Sequence, residues 1–256
     1  MDSVVTSALV SIGTTWMTRG AKAPAHTLNL LWKVTLGRWD PLMEKIVKEN
    51  TEKYAKAIDD ELDKIPPESI NPDPDLSIIG PALEASKYYV AKEAARNMFA
   101  KLIAAEMDVT KSEQVHHAYV EIIKQMNPLD AKLLSVLDNP TTLLHCLYPS
   151  KKHPGKALVL SDIYLSDMFP EYESSVSLAI GNLNRLGLLD IPTRNMSTVH
   201  IGSNATNAIE RFKQTCLFTE IDQELKSDFP PGVKCQITTY HAYLTPMAFS
   251  FREICL

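Results

Sequence analysis

The feature that most constrains this chain is a helical stripe of apolar residues that two prolines bring to an end. Across residues 41–65, apolar side chains recur at the spacing of one helix face: Val47, Tyr54, Ile58, Leu62 and Ile65. Acidic residues stand four places ahead of basic ones on the other faces, as Glu44 does to Lys48, which is typical of a solvated surface. Pro66 and Pro67 lack the amide donors that a further turn needs. The pattern predicts an amphipathic helix that packs one face on a core.

The next hundred or so residues also favour helices, in a chain that has only 9 glycines in 256 residues. After an extended connector punctuated by prolines as far as Pro81, we expect a helix over residues 82–107 and another over 114–126. We expect a short helix over residues 143–147 as well. The sequence therefore predicts a helical domain over residues 41–149.

One helix start within this domain has a clear signature. Asn127 supplies a capping oxygen, Pro128 suits the first helical position, and Asp130 places a negative charge near the positive end of the helix dipole. The apolar face of this helix is predicted to contain Ala131, Leu133, Leu134 and Leu137.

The second half of the chain has a different pattern and follows a candidate linker. Residues 150–157 are polar and basic, and they are broken by Pro154 and Gly155. Beyond them we expect a helix over residues 163–169 and a second helix from Ser174 that ends before Gly187.

Two β-rich segments complete this half. Strands are predicted over residues 188–191 and 235–244, and a last helix follows Thr245 and Pro246. This order of elements predicts a winged-helix-like α+β domain over residues 158–256, with a long insertion in the wing. The fold class we expect is mainly α, with this domain after the helical one.

Residues 1–40 form an apolar N-terminal segment of two short patches. Neither patch is long enough to cross a bilayer. The second patch contains Leu31 and Trp32, which are candidates for self-association or for contact with a protein partner. The alternative is that residues 1–36 lie on a membrane as an amphipathic segment.

Charge, cysteine usage and hydropathy narrow the function classes. The formal net charge of −5 argues against a protein whose main role is to coat nucleic acid. The 4 cysteines are widely spaced and form no CxxC pair, so we expect reduced thiols. Neither a signal peptide nor a membrane span is recognisable in the sequence, and we expect a cytoplasmic protein.

Two blocks of sequence resemble the bacterial abortive-infection alpha (Abi-alpha) family. The first contains Asp73-Pro74-Asp75 and then residues 98–108, and the second contains His116 and residues 119–132. The resemblance is close over residues 40–140 or so and continues loosely to the C-terminus. It implies a role in defence against phage, and it supplies no catalytic residue or cofactor.

The residues themselves predict no catalytic, cofactor or metal site. GxSxG, HExxH and Gly-rich phosphate loops are absent from the sequence. His116, His117 and Glu121 fall within one turn, but zinc needs three or four ligands of defined geometry. We therefore expect His116 to make a polar contact at a helix start instead.

The predicted helix from Ser174 carries the remaining candidates, Asn182 and Arg185. Arg185 is its one basic residue, and acidic residues outnumber basic ones over 158–195. A domain that binds double-stranded DNA through this helix should carry a net positive charge around it, so we expect a protein-interaction module. The leading hypothesis is a non-catalytic antiviral protein that acts through protein contacts or oligomerisation. The alternatives are a winged-helix nucleic-acid-binding regulator and a membrane-active effector that uses residues 1–36.

Overall fold

A computed structural model of the chain describes residues 53–54, 56–89, 91–149, 157–192 and 203–256. Contacts divide the chain into two units, one of Met1–Ala131 with Ser250–Leu256 and one of Lys132–Phe249. The described part is mainly helical with one antiparallel sheet, which confirms the fold class at that level. None of the helices in it has the length and apolar character of a transmembrane span.

The elements follow one another along the chain in this order. The helices are α1 (residues 56–62), α2 (Leu76–Tyr89), α3 (Glu93–Glu106), α4 (Ala118–Gln125), α5 (Pro128–Val136), α6 (Ser174–Arg185), α7 (Ser203–Lys213), α8 (Cys216–Asp228) and α9 (Pro246–Cys255). The strands are β1 (Thr141–Pro149), β2 (Ala157–Ile163), β3 (Leu189–Asp190) and β4 (Gln236–Leu244). Short 3-10 turns occupy Pro67–Ser69 and Ser112–Gln114.

The core of the first unit is formed by apolar faces of its helices. Tyr54, Ile58 and Leu62 of the predicted stripe are buried, which confirms these positions, and Val47 lies outside the described residues. The helix ends at Leu62 and not at the predicted residue 65, and Ile65 is half-buried. Tyr119 packs edge-on against another aromatic residue of the same unit, Phe251, with ring centroids 5.3 Å apart. Burial of such rings supplies most of the stabilisation that a helical unit gains.

The single helix predicted over residues 82–107 is wrong, because the structure has α2 and α3 there. α2 begins at Leu76, so Pro81 lies inside the helix and not in a connector. Asp75 makes the early start possible, since its Oδ1 accepts from the backbone N–H of Ser77 at 2.8 Å. The helix ends before Lys92, whose backbone is extended.

The second unit contains a four-stranded antiparallel sheet in the order β2-β1-β4-β3. In the central pair, Leu143 lies opposite Tyr240 and Cys146 opposite Ile237. One buried cluster joins strand residues to α7 and α8: Leu144, Cys146, Tyr148, Ile163, Phe212, Ile221 and Leu225.

Two predicted helices of this region are wrong, and the winged-helix interpretation is not confirmed. Residues 143–147 belong to β1, and residues 164–173 contain no helix. A short apolar run is ambiguous between strand and helix, which explains the first error. The helix from Ser174 and the strands at 188–191 and 235–244 are confirmed, and β3 and β4 pair across an insertion that contains α7 and α8.

The proposed linker stands between two strands that pair with each other. β1 ends at Pro149, β2 begins at Ala157, and the two are hydrogen-bonded. Residues 150–156 lie outside the described part. Contacts place the division of the chain at other positions, between Ala131 and Lys132 and between Phe249 and Ser250.

The predicted start of α5 is confirmed at Pro128 and Asp130. Pro128 is its first residue, and the backbone N–H of Asn127 donates to Asp130 Oδ2 at 2.7 Å. This bond satisfies a donor that the helix leaves unpaired, as the acid of a capping box does. The predicted apolar face is buried at all of its positions: Ala131, Leu133, Leu134 and Leu137.

Candidate functional site

The outward face of α6 is the first candidate site, and the sequence fixes the helix that presents it. Val176, Ala179, Ile180 and Leu183 are buried, so the opposite face of α6 points away from the core. The helix ends in a Schellman motif, in which Leu188 N–H donates to Leu183 O at 3.0 Å. Gly187 makes that ending possible because its φ is +74°.

Four residues form the outward stripe of α6. Leu178, Gly181, Asn182 and Arg185 follow the spacing of one helix face, and this stripe is called the α6 face below. Leu178 is 73% exposed, more than any other large hydrophobic residue in the described part. Gly181 leaves a notch beside it, because a Cβ there would meet no atom within 4 Å.

The structure brings the two predicted residues of this helix into contact. Arg185 donates to Asn182 Oδ1 from Nε at 3.1 Å and from Nη2 at 2.8 Å. Two hydrogen bonds to one oxygen hold the guanidinium in one orientation and lower the entropy that a partner's binding would remove. The other two candidate interaction residues, Leu31 and Trp32, lie outside the described residues.

The segment that contains α6 has few basic residues. Described residues 157–192 contain one basic side chain, that of Arg185. They contain five acidic ones, of which Asp162 is buried and Asp167 pairs with Arg211: Asp162, Asp167, Glu171, Glu173 and Asp190. The segment therefore offers little to a phosphate backbone, since nucleic-acid affinity comes mainly from basic side chains.

The second candidate lies in the first unit, where the segment that contains Asp73-Pro74-Asp75 meets the end of α3. Ile70 and Asp108 form an antiparallel bridge. The backbone N–H of Asn71 donates to Met107 O at 2.8 Å, and its side-chain amide donates to Glu106 O at 3.2 Å. The connector is therefore attached along its length to residues 106–109.

Glu106 is the buried carboxyl of this junction. Its side chain is 3% exposed, and Oε1 accepts from the backbone N–H of Asp75 at 2.9 Å. Oε2 is buried and has no hydrogen-bond partner among the described residues. Burial raises the pKa of Glu106, and the negative charge of Asp75 adds to that, while the N–H of Asp75 and the imidazole of His117 oppose it.

Asp75 has the opposite shift. The hydroxyl and the backbone N–H of Ser77 donate to its Oδ1 at 2.6 and 2.8 Å, and these bonds lower the pKa of Asp75. Its Oδ2 lies 3.9 Å from His117 Nε2. Both side chains are largely exposed, so this ion pair is weak.

Several polar residues of the resembling blocks accept backbone N–H groups. His116 Nδ1 accepts from Ala118 at 3.0 Å, so this histidine makes a polar contact at the start of α4. Asp108 Oδ1 accepts from Thr110 at 2.9 Å. Together with Asp75, Glu106 and Asp130, these side chains order turns and helix starts.

The family of the chain is settled by its match to a family model. The model described as "Abortive infection alpha" matches residues 47–255. The chain belongs to the abortive infection alpha family. No curated protein and no solved structure matches it. Membership connects this Abi-alpha protein with abortive infection, a form of bacterial defence against viruses.

A cleft in the first unit of this Abi-alpha protein has no clear ionic preference. It has a volume of about 280 Å³, and its lining contains ammonium groups and carboxylates in equal number. Lys64 pairs with Glu61 at 2.6 Å, and Lys101 donates to the main-chain oxygen of Leu256. Within the described ranges, the side chains also form no group of three metal ligands.

Sequence reasoning missed Leu178 and Gly181 in this Abi-alpha protein. The spacing along the helix places Leu178 on the side opposite to the residues that the structure buries, so its exposure could be read from the sequence. No pattern in the sequence singles out Gly181.

Proposed function

We propose that this protein is a non-catalytic, cytoplasmic component of bacterial antiviral defence that acts by contacting another protein through the α6 face. The observation that supports the proposal is the exposure of Leu178, at 73%, beside the notch at Gly181 and the ordered guanidinium of Arg185. Arginine is enriched at energetically important positions of protein interfaces, and the exposed apolar side chain next to it is surface that a partner can bury.

The charges of the second unit favour a protein partner over a nucleic acid. Arg185 is held by Asn182, and it is the one basic side chain among described residues 157–192. Base contacts without phosphate contacts bind weakly, because the phosphate backbone supplies most of the affinity. We therefore prefer the hypothesis of a protein-interaction module to that of a winged-helix nucleic-acid-binding regulator.

The proposal of a non-catalytic protein is supported by what the polar residues of the family blocks do. Asp75, Asp108, His116 and Asp130 accept hydrogen bonds from the backbone. A catalytic acid or base needs a free position beside the substrate proton that it moves. These groups are engaged in local structure.

The test compares two aspartate variants at exposed helix positions. Leu178→Asp changes the α6 face, and Gln223→Asp places the same side chain on exposed α8 as a control. Cells that express each variant at equal level are challenged with a phage that the wild-type protein restricts. We expect Leu178→Asp to abolish protection and Gln223→Asp to retain it.

The same cells identify the partner and test the contact. The tagged wild-type protein and both variants are captured before and after infection, and the bound proteins are quantified. We expect one protein to be recovered with wild type and Gln223→Asp and at least tenfold less with Leu178→Asp. Equal recovery and equal protection with Leu178→Asp would exclude the α6 face.

Two further measurements separate the alternatives. Salt-dependent retardation of DNA or RNA in a gel, lost in Arg185→Glu, would support the nucleic-acid-binding regulator. Flotation of the chain with liposomes, lost when residues 1–36 are removed, would support the membrane-active effector. Oligomers that dissociate in Leu31→Asp or Trp32→Ala would place self-association in the N-terminal segment.

A further inference from the structure

Two cysteines of the second unit lie side by side under the helices. Cys146 is opposite Ile237 in the β1–β4 ladder, and Cys235 stands two residues before Ile237. Residues two apart on a strand share a face, so both thiols lie on one face of the sheet. Both also pack against the same apolar cluster, which confirms the common face.

The two thiols affect each other and differ in their surroundings. Cys235 contributes to the raised pKa of Cys146, and the thiol of Cys146 acts to lower the pKa of Cys235. Cys146 is fully buried, while Cys235 is only partly buried and precedes the first residue of β4. Because its backbone lies outside the ladder, Cys235 can move toward Cys146 without breaking a strand pair.

The surroundings also determine which sulfur reacts first. Burial raises the pKa of Cys146 to about 12. Burial raises the pKa of Cys235 as well, but the thiol of Cys146 and the charge of Lys213 oppose that rise. The thiolate is therefore more accessible and better stabilised at Cys235 than at Cys146.

We propose that Cys146 and Cys235 are an oxidisable thiol pair, which a hydroperoxide converts into a disulfide that joins β1 to the segment before β4. Cys235 is the thiol that reacts with the oxidant, and Cys146 is the thiol that resolves it. Disulfides of this kind in intracellular proteins are transient and sense oxidants.

The chemistry proceeds in two balanced steps. The Cys235 thiolate attacks one oxygen of hydrogen peroxide, the O–O bond breaks, and the second oxygen leaves as water after taking a proton, which gives a sulfenic acid. The sulfur of Cys146 then attacks the sulfenic sulfur. The S–S bond forms, the S–O bond breaks, and a second water leaves. Two thiols lose two electrons, and one peroxide is reduced to two waters.

Burial makes this pair slow to react at neutral pH. The thiolate is the reactive form, and both thiols have raised pKa values. We therefore expect the rate of disulfide formation to increase with pH. Cys216 is exposed and provides an internal reference for oxidation without a neighbouring thiol.

The experiment treats the reduced full-length protein with hydrogen peroxide, blocks free thiols by alkylation and maps disulfides by mass spectrometry without reduction. We expect a linked peptide pair that contains Cys146 and Cys235 in wild type and in the control Cys216→Ser. The pair should be absent from Cys146→Ser and Cys235→Ser. Reduction should restore the free thiols.

Sulfenic acid trapping assigns the order of the two steps. In Cys146→Ser, a dimedone-type reagent should label Cys235, because the resolving thiol is missing. In Cys235→Ser it should leave Cys146 unlabelled. A mixture of light and isotope-labelled protein distinguishes linkage within one chain from linkage between chains. Oxidation of Cys216 alone in wild type, or a Cys146–Cys235 linkage found only between chains, would overturn the proposal.

Discussion

The α6 face and the junction at the end of α3 contain similar polar residues in opposite settings. At the junction, the amide of Asn71 and the carboxyl of Glu106 bond to backbone groups, and Asn71 is half-buried while Glu106 is buried. On the α6 face, the amide of Asn182 orders a charged side chain at the surface, beside the exposed Leu178. The polar residues of the two family-like blocks hold turns and helix starts in place, and these turns and helices are called the frame below. The proposed contact surface contains no residue of those blocks.

The largest expected effect is loss of a cap at the frame. Asp130 is 2% exposed and accepts from the N–H of Asn127, so Asp130→Ala removes the acceptor of this capping bond. We expect unfolding free energy to fall by about 1–2 kcal/mol in chemical denaturation. The control Glu93→Ala removes an exposed acid from the first turn of α3 and should change stability by less than about 0.5 kcal/mol. An Asp130→Ala variant as stable as the control would show that this residue of the family-like block does not stabilise the fold.

A smaller effect is expected at Glu106, and it depends on pH. The folded state binds the Glu106 proton more tightly than the unfolded state, because the pKa of Glu106 is raised on folding. Its stabilising contribution is therefore present at low pH and is lost as pH rises through the folded pKa.

The variant Glu106→Gln removes this titration and keeps an oxygen for Asp75 N–H. We expect wild-type stability to fall between mildly acidic and neutral pH more steeply than that of Glu106→Gln. The pH range of this experiment must stay above the pH at which Asp75 becomes protonated. The pKa of Asp75 is lowered in the folded state, so its contribution to stability is lost only at more acidic pH. Equal slopes would show that Glu106 does not carry this pH dependence.

Local rules predicted the frame well because each of its elements is determined by nearby residues. The bounds of α6, the glycine that ends it and the start of α5 all follow from capping within a few residues. The burial of the α1 stripe follows in the same way.

Tertiary pairing explains what sequence reasoning did not predict. Residues 143–147 were assigned to a helix, but pairing with β4, about a hundred residues later, makes them a strand. The contact between the Asp75 segment and Glu106 likewise joins residues that are distant in sequence. Of the candidate interaction residues, Asn182 and Arg185 were found because they are polar on a helix face, whereas Leu178 was not.

The smallest effect on stability is expected on the α6 face. Asn182→Ala removes the oxygen that orders Arg185 at the surface. We expect unfolding free energy to change by less than about 0.5 kcal/mol, while the captured partner falls severalfold. Arg185→Lys should resemble it, because lysine cannot make both bonds. A partner recovered at wild-type level from both variants would remove the ordered guanidinium from the proposed contact.

The most direct measurement combines stability with protection in Gly181→Gln. A Cβ at this position would meet no atom within 4 Å, and glutamine is the better helix former, so unfolding free energy should rise by about 0.5–1 kcal/mol. The control Gly181→Ala gains similar stability and adds little bulk. We predict that Gly181→Gln fills the notch and loses protection against a phage that wild type and Gly181→Ala restrict. Full protection by a more stable Gly181→Gln would contradict a contact through the α6 face.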